Sequence, residues 1–147
     1  AVTADLPRVV RRAQAVKVSL IEVDPYEKGP RAALNFGHTI GHAVELVSGY
    51  RLRHGEAVAV GMVVETRLAE KLGIAGNGLA DEMRAVLSGL GLPREIPPDL
   101  PRADILRVVQ ADKKKSKGTV TFALPERIGS VLAGIEIADL EWLLEEI

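Results

Sequence analysis

The chain has 147 residues, of which 47% are hydrophobic. This is enough for one buried core but short for two ordinary domains, so residues 1–147 are predicted to form a single domain. Nineteen lysines and arginines against 20 aspartates and glutamates argue against nucleic acid or an anionic membrane as a partner. Cysteine is missing, which excludes disulfides and thiolate chemistry, and with no signal peptide or membrane-length apolar run we expect a soluble, cytoplasmic protein.

Hydrophobic periodicity predicts a mainly helical chain. The first helix should have Asp5 as its N-cap and Pro7 in its first turn, and a loop over residues 22–30 should follow it. The third is apolar on nearly every side and should be the central buried helix, with Gly55, Ala59 and Gly61 allowing close approach by its neighbours. The predicted helices cover residues 6–21, 31–47, 55–72, 79–90, 103–111 and 138–146.

One short β-hairpin interrupts the helical pattern near residues 119–133. Val120, Phe122 and Leu124 alternate with polar or small residues, as in a strand with one buried face. Residues 125–129 should form the turn, and residues 130–133 should pair back. The expected fold class is therefore mainly α, with one hairpin.

All three histidines lie within 17 residues. His38 and His42 are four apart on a predicted helix, which places both rings on one face, and His54 follows. Neutral imidazole suits zinc, and a catalytic zinc generally takes three protein ligands, so the three histidines alone could form such a site. Gly37 and Gly41 beside them suggest instead packing against something larger than a bare ion.

Anion-binding groups precede the histidines. On one continuous helix Arg31 and Asn35 would stack on the side that bears His38 and His42. A guanidinium binds carboxylate or phosphate through two parallel hydrogen bonds, and an amide can donate to a phosphate oxygen. This face is typical of a site for an acidic substrate beside a metal.

The dense basic run comprises Lys113, Lys114, Lys115 and Lys117, just before Gly118. Such a run is usually a solvated turn. No aromatic residue is interleaved with it for base stacking, which argues against nucleic acid. A phosphate contact from one or two of these lysines is the functional alternative.

The segments EKGPRAALNFGHTIGHAVE at residues 27–45 and HGEAV at residues 54–58 resemble 3-dehydroquinate synthase. The resemblance continues through the Asp-Lys-Lys at residues 112–114, Phe122, the Leu-Pro at 124–125 and the Ile-Gly at 128–129. It covers the chain from about Lys17 to its end. It implies a shikimate-pathway enzyme that forms 3-dehydroquinate and phosphate from 3-deoxy-D-arabino-heptulosonate 7-phosphate.

The resemblance also implies bound NAD, zinc or cobalt, and a two-part fold that is homodimeric at full length. The chain resembles the C-terminal multihelical part, and no glycine-rich turn after a strand marks the N-terminal Rossmann-like part that would bind NAD. We therefore expect this polypeptide alone to be inactive and to bind zinc weakly or not at all.

The resemblance assigns roles to individual residues. It implies that His38 and His54 bind the metal, together with a glutamate of the N-terminal part, and that His42 faces the substrate. In the same family pattern Lys17 and Arg31 hold the substrate carboxylate, and Glu27 belongs to the same polar site, where it and His42 would be the catalytic residues. The phosphate end is implied to be contacted by Asn35, His42 and one lysine of Lys113 and Lys114.

Two alternatives stay open. One is a related sugar-phosphate cyclase or polyol dehydrogenase, although a substrate without a carboxylate has no use for Lys17 and Arg31. The other is a non-catalytic helical module that binds a metal or a partner through an exposed apolar face.

Overall fold

The computed structural model describes residues 5–113 and 118–142, and for residues 112 and 113 it describes the backbone alone. The fold is mainly α with one antiparallel hairpin, which confirms the predicted fold class. In chain order the elements are α1 (Leu6–Val23), a 3-10 helix (Pro30–Asn35), α2 (His38–Val47), α3 (His54–Lys71), α4 (Leu79–Gly89), α5 (Arg102–Lys113), β1 (Val120–Arg127) and β2 (Ser130–Ile137).

Helix α3 is the centre of the fold, as its apolar composition predicts. Ten of its 18 residues are buried, and it contacts α2, α4 and β1. The main core lies where α2 and α3 meet α5 and the hairpin, with Ile40, Leu68, Ile105 and Phe122 among its fully buried side chains. None of the helices described combines the length and hydropathy that a bilayer span requires.

The contact between α2 and α3 depends on glycine. A Cβ atom at Gly61 would lie 2.0 Å from the carbonyl oxygen of Gly37, and one at Gly41 would lie 2.9 Å from the Cα atom of Val58. The expectation of close approach at Gly61 is thus confirmed, whereas nothing lies within 4 Å of a Cβ at Gly55. The expectation that Gly37 and Gly41 pack tightly against something larger than a bare ion is confirmed, and the partner is α3.

The continuous helix predicted for residues 31–47 is wrong. The chain forms a 3-10 helix to Asn35, leaves helical geometry at Phe36 and Gly37, and starts α2 at His38. Gly37 has a φ of 80°, a left-handed conformation that glycine adopts without steric penalty. The apolar spacing runs through this break, so periodicity alone could not reveal it.

The hairpin is longer than predicted. β1 extends to Arg127 and β2 to Ile137, so the turn is confined to Ile128 and Gly129 rather than spanning residues 125–129. Pro125 lies within β1 opposite Val131, next to one of two irregularities in the register. A proline at a bulged position of a two-stranded sheet does not break the strand, which is why the turn signal misled.

Both ends of the chain differ in detail from the expectations. Asp5 precedes α1 as predicted, but its side chain makes no capping hydrogen bond and forms an ion pair with Arg8 instead. The apolar spacing predicted this helix correctly, but none of its residues is buried. The helix predicted from Ala138 is wrong at its start, because residues 138–141 are not helical, and residues 143–147 lie outside the described part.

Candidate functional site

The three histidines converge at the α2–α3 contact. The ring centroids of His38 and His42 are 5.3 Å apart, those of His38 and His54 are 5.3 Å apart, and those of His42 and His54 are 5.5 Å apart. One ring nitrogen from each can be chosen so that all three lie within 4.8 Å of one another. Zinc–nitrogen bonds of about 2.0 Å in tetrahedral geometry require roughly 3.3 Å, so small side-chain rotations would bring the nitrogens into range.

Hydrogen bonds orient two of the rings. Nδ1 of His38 lies 3.2 Å from the carbonyl oxygen of Phe36, and Nδ1 of His54 lies 3.2 Å from Oε2 of Glu45. Because a carbonyl or an ionised carboxylate can only accept, each contact requires the proton on Nδ1, and in the neutral ring this leaves the Nε2 lone pair for a metal. A carboxylate behind a ligating imidazole is a common second partner at metal sites. The donor set therefore fits a divalent ion such as zinc or cobalt.

Burial lowers the pKa of His38, and the nearby rings of His42 and His54 act in the same direction. The Phe36 carbonyl and the charge of Glu45 oppose this shift. The lowered pKa favours the neutral imidazole at physiological pH, which is the form that binds a metal.

A cavity of about 350 Å³ lies beside the histidines and collects five predicted site residues. It is lined by Lys17 of α1, Glu27 and Arg31 of the following segment, Asn35 and His38, together with Leu34. Nδ2 of Asn35 donates a 2.7 Å hydrogen bond to Oε1 of Glu27, and Nη1 of Arg31 donates to the carbonyl oxygen of Pro25 over 2.7 Å. Two cations and one carboxylate thus surround a space next to the candidate metal ligands.

A second cavity, of about 470 Å³, adjoins the first through Asn35 and His38. His42 lines it, together with residues of α5 and of both strands. Ala111, two residues before Lys113, is part of this lining. The predicted phosphate contacts involve Lys114 and the side chain of Lys113, which lie outside the part of the chain that the structure describes.

The four residues that the sequence grouped on one helix face do lie close together, but not because they share a helix. They are Arg31, Asn35, His38 and His42. They do not lie on one continuous helix, since the 3-10 helix ends before α2 begins. Asn35 nevertheless lines both cavities, one with Arg31 and the other with His42. The break at Gly37 redirects the chain, so that residues before it, such as Arg31, and residues after it, such as His42, both lie at the site.

The segment that carries Glu27 and Arg31 is held by Asp24. Its carboxylate accepts backbone hydrogen bonds from Lys28 at 2.9 Å, Gly29 at 2.7 Å and Arg31 at 3.2 Å. These bonds lower the pKa of Asp24, the one from Lys28 most, despite an opposing effect of burial. Glu27 has a φ of 54°, an uncommon conformation for a residue other than glycine, which the hydrogen bonds donated to Asp24 by the following residues help to hold.

Sequence reasoning missed Glu45, Glu65 and Asp24 as parts of the site. Glu45 was visible in principle, because it lies three residues after His42 and seven after His38 on the same helical face. Glu65 accepts hydrogen bonds from the backbone N–H groups of Gly37 and Ile40 at the start of α2. In the sequence it was marked only as a charge directly after the apolar run at residues 57–64. Asp24 reads as an ordinary turn residue before proline, and nothing local reveals its three backbone partners.

Comparison with known proteins agrees with the site geometry. Residues 2–115 match the family model described as 3-dehydroquinate synthase C-terminal. The chain is 44% identical over 127 residues to 3-dehydroquinate synthase of Synechococcus sp., covering 86% of this chain and 34% of that protein. It is 39% identical over 145 residues to the Symbiobacterium thermophilum protein of the same name, covering 97% and 40%. It therefore spans well under half the length of these relatives.

Solved structures share the fold. A crystal structure of 2-deoxy-scyllo-inosose synthase, complexed with carbaglucose-6-phosphate, NAD+ and Co2+, superposes with a TM-score of 0.76 at 25% identity, covering 90% of this chain and 38% of that one. A 2-epi-5-epi-valiolone synthase from Streptomyces hygroscopicus gives a TM-score of 0.73 at 23% identity, covering 95% and 37%. Given the extent of the family match and its agreement with the relatives, the chain belongs to the 3-dehydroquinate synthase C-terminal family.

Proposed function

We propose that this chain is the metal- and substrate-binding part of an enzyme that converts 3-deoxy-D-arabino-heptulosonate 7-phosphate to 3-dehydroquinate and phosphate. The observation that carries the proposal is the convergence of three imidazoles beside a cavity lined by Lys17 and Arg31. Such a site suits a substrate that has an anionic carboxylate near hydroxyl groups able to bind a divalent ion.

His38 and His54 would hold zinc or cobalt, with a glutamate from another part of the protein as third ligand. Both present an Nε2 lone pair, because each Nδ1 is engaged by an acceptor. His42 would face the substrate, although the ring positions also suit a site with all three histidines as ligands. The metal, when bound, would act as a Lewis acid toward the substrate oxygens.

The substrate's two anionic ends would be held by different groups. Lys17 and Arg31 would bind the carboxylate, and the guanidinium can do so through two parallel hydrogen bonds. Asn35, His42 and one of Lys113 and Lys114 would bind the phosphate end. This assignment of the phosphate end is supported by the position of Asn35 and His42, which line the same 470 Å³ cavity.

Glu27 would act as a polar partner within the site. Its carboxylate fixes the Asn35 amide, so the amide oxygen and the second N–H keep a defined direction. With the anions held at both ends, these residues would contribute mainly through positioning and charge stabilisation. NAD, which the inosose synthase binds, would supply reversible oxidation and would be held mainly outside this chain.

We expect the isolated 147-residue chain to have no catalytic activity. The nicotinamide site and the third metal ligand are proposed to come from the N-terminal part of the complete protein, which we also propose to be a cytoplasmic homodimer. Steady phosphate release by the purified chain, given substrate and NAD, would contradict this.

A second candidate is a sugar-phosphate cyclase that acts on a substrate without a carboxylate. The superposition on an enzyme complexed with carbaglucose-6-phosphate favours it. The cationic pair Lys17 and Arg31 weighs against it. Phosphate release by the natural-length protein should be measured with the heptulosonate phosphate and with glucose 6-phosphate. We expect turnover of the first alone, and turnover of glucose 6-phosphate alone would select the second candidate.

A further inference from the structure

Glu65 is a carboxyl group without solvent exposure, and the proposed reaction does not use it. It lies on α3 among buried apolar residues. Burying a carboxyl group destabilises a fold unless its oxygens are well paired, so an apolar residue would serve packing better. Its presence therefore needs an explanation beyond filling space.

The partners of Glu65 are backbone N–H groups at the start of α2. Oε2 accepts from Gly37 at 2.6 Å, and Oε1 accepts from Ile40 at 3.0 Å. The first N–H groups of a helix lack partners within the helix, and a glycine in the N-cap position has no side chain to supply one. Glu65 fills that role from another helix.

The two N–H groups flank His38, the first residue of α2. His54 is on the same helix as Glu65, 11 residues earlier, and at about 100° per residue this spacing returns to within roughly 20° of the same face. One rigid helix therefore carries one candidate metal ligand directly and fixes the backbone around the other.

We propose that Glu65 is a positioning residue for the metal centre, setting metal affinity by fixing the start of α2 and with it the ring of His38. The inference rests on the proposed function, in which His38 and His54 bind the metal. Burial raises the pKa of Glu65 to about 8, while the backbone donors oppose that shift. The positioning role follows from the hydrogen bonds and not from titration.

The test replaces Glu65 by glutamine in the natural-length protein. Glutamine keeps the side-chain length but places an NH2 group where one carboxyl oxygen stood, so one of the two backbone N–H groups faces another donor and loses its acceptor. We expect zinc affinity to fall at least tenfold, and the visible absorption of the Co2+-loaded protein to change, at temperatures where circular dichroism shows an intact fold. Affinity within twofold of the unmodified protein, with an unchanged cobalt spectrum, would overturn the inference.

Thr66→Val is the matched control. Thr66 is also without solvent exposure, but its hydroxyl donates to the carbonyl oxygen of Met62 within the same helix. We expect its zinc affinity to stay within twofold of the unmodified protein, and a loss equal to that of Glu65→Gln would overturn the positioning role. If the unmodified protein binds no zinc, the proposed function fails and this inference fails with it.

A measurement on the unmodified protein covers the case in which Glu65→Gln does not fold. Coupling between two sites is reciprocal, so zinc binding should in turn stabilise the start of α2. We expect zinc to slow hydrogen exchange of the Ile40 amide at least tenfold more than that of the Leu90 amide, which bonds within the α4 region. Equal slowing at both amides would overturn the inference.

Discussion

Nδ1 of His54, the first residue of α3, lies 3.2 Å from Oε2 of Glu45 on α2. The side chain of His54 is 53% exposed and that of Glu45 is 18% exposed, so the carboxylate is the more enclosed partner. The contact joins the two helices at the candidate metal centre. It also fixes the orientation of the His54 ring, and with it the direction of Nε2.

Replacing Glu45 by alanine should weaken metal binding about 10- to 100-fold, the usual effect of losing a partner behind a ligating histidine. Glu45→Gln should weaken it less, because the amide oxygen can still accept the hydrogen bond from Nδ1. Zinc titration against a competing chelator measures both. Glu82→Gln, an exposed change in the first turn of α4, is the control, and equal affinities for Glu45→Ala and this control would contradict the role of Glu45.

Arg31→Lys should lower kcat/KM for the heptulosonate phosphate about 10- to 100-fold in the natural-length protein. The ammonium keeps the charge but loses the planar pair of donors, and a charge-assisted hydrogen bond contributes about 1.5–3 kcal/mol. The loss should appear mainly in KM. Arg107→Lys, whose guanidinium is 75% exposed and pairs with Asp104, should change neither constant. An unchanged KM in Arg31→Lys would remove Arg31 from substrate binding.

Gly61→Ala should destabilise the protein by several kcal/mol or prevent folding. The added Cβ would lie 2.0 Å from the Gly37 carbonyl oxygen and 2.7 Å from the Gly41 nitrogen, so α2 and α3 would have to separate. Thermal unfolding measures the effect. Gly89→Ala at the end of α4, where nothing lies within 4 Å of the new Cβ, should be neutral or slightly stabilising. Equal melting temperatures for the two variants would contradict the close packing.

Asp24 should make stability depend on acid pH. Its pKa is lowered in the folded state by three backbone donors, so its contribution is complete above its ordinary value of 3.8 and is lost as pH falls through the lowered pKa. Asp24→Asn should therefore unfold more easily than the unmodified protein at pH 7, and this difference should shrink below about pH 4. Urea unfolding between pH 7 and pH 2.5 measures it, with Asp81→Asn as an exposed control. A difference that stays constant over the whole range would contradict the assignment.

Local patterns were sufficient for most helices. Apolar spacing located α3 within one residue at each end, because the apolar run begins in its first turn and Gly73 follows shortly after its end. The histidine spacing likewise revealed the candidate metal centre. These features depend on residues close together in sequence.

The break at Gly37 and the role of Glu65 could not be predicted locally. Both arise from contact between α2 and α3, whose partners are more than 20 residues apart. Pro125 shows the opposite failure, because a local turn signal was overridden by pairing with Val131. At such positions, contacts between elements distant in sequence determine the local conformation.

Locating the bound metal in a crystal of the natural-length protein, by anomalous diffraction at the zinc or cobalt edge, tests the central claim most directly. We predict one ion within about 2.2 Å of Nε2 of both His38 and His54. An ion bound elsewhere, with these two rings turned away from each other, would contradict it.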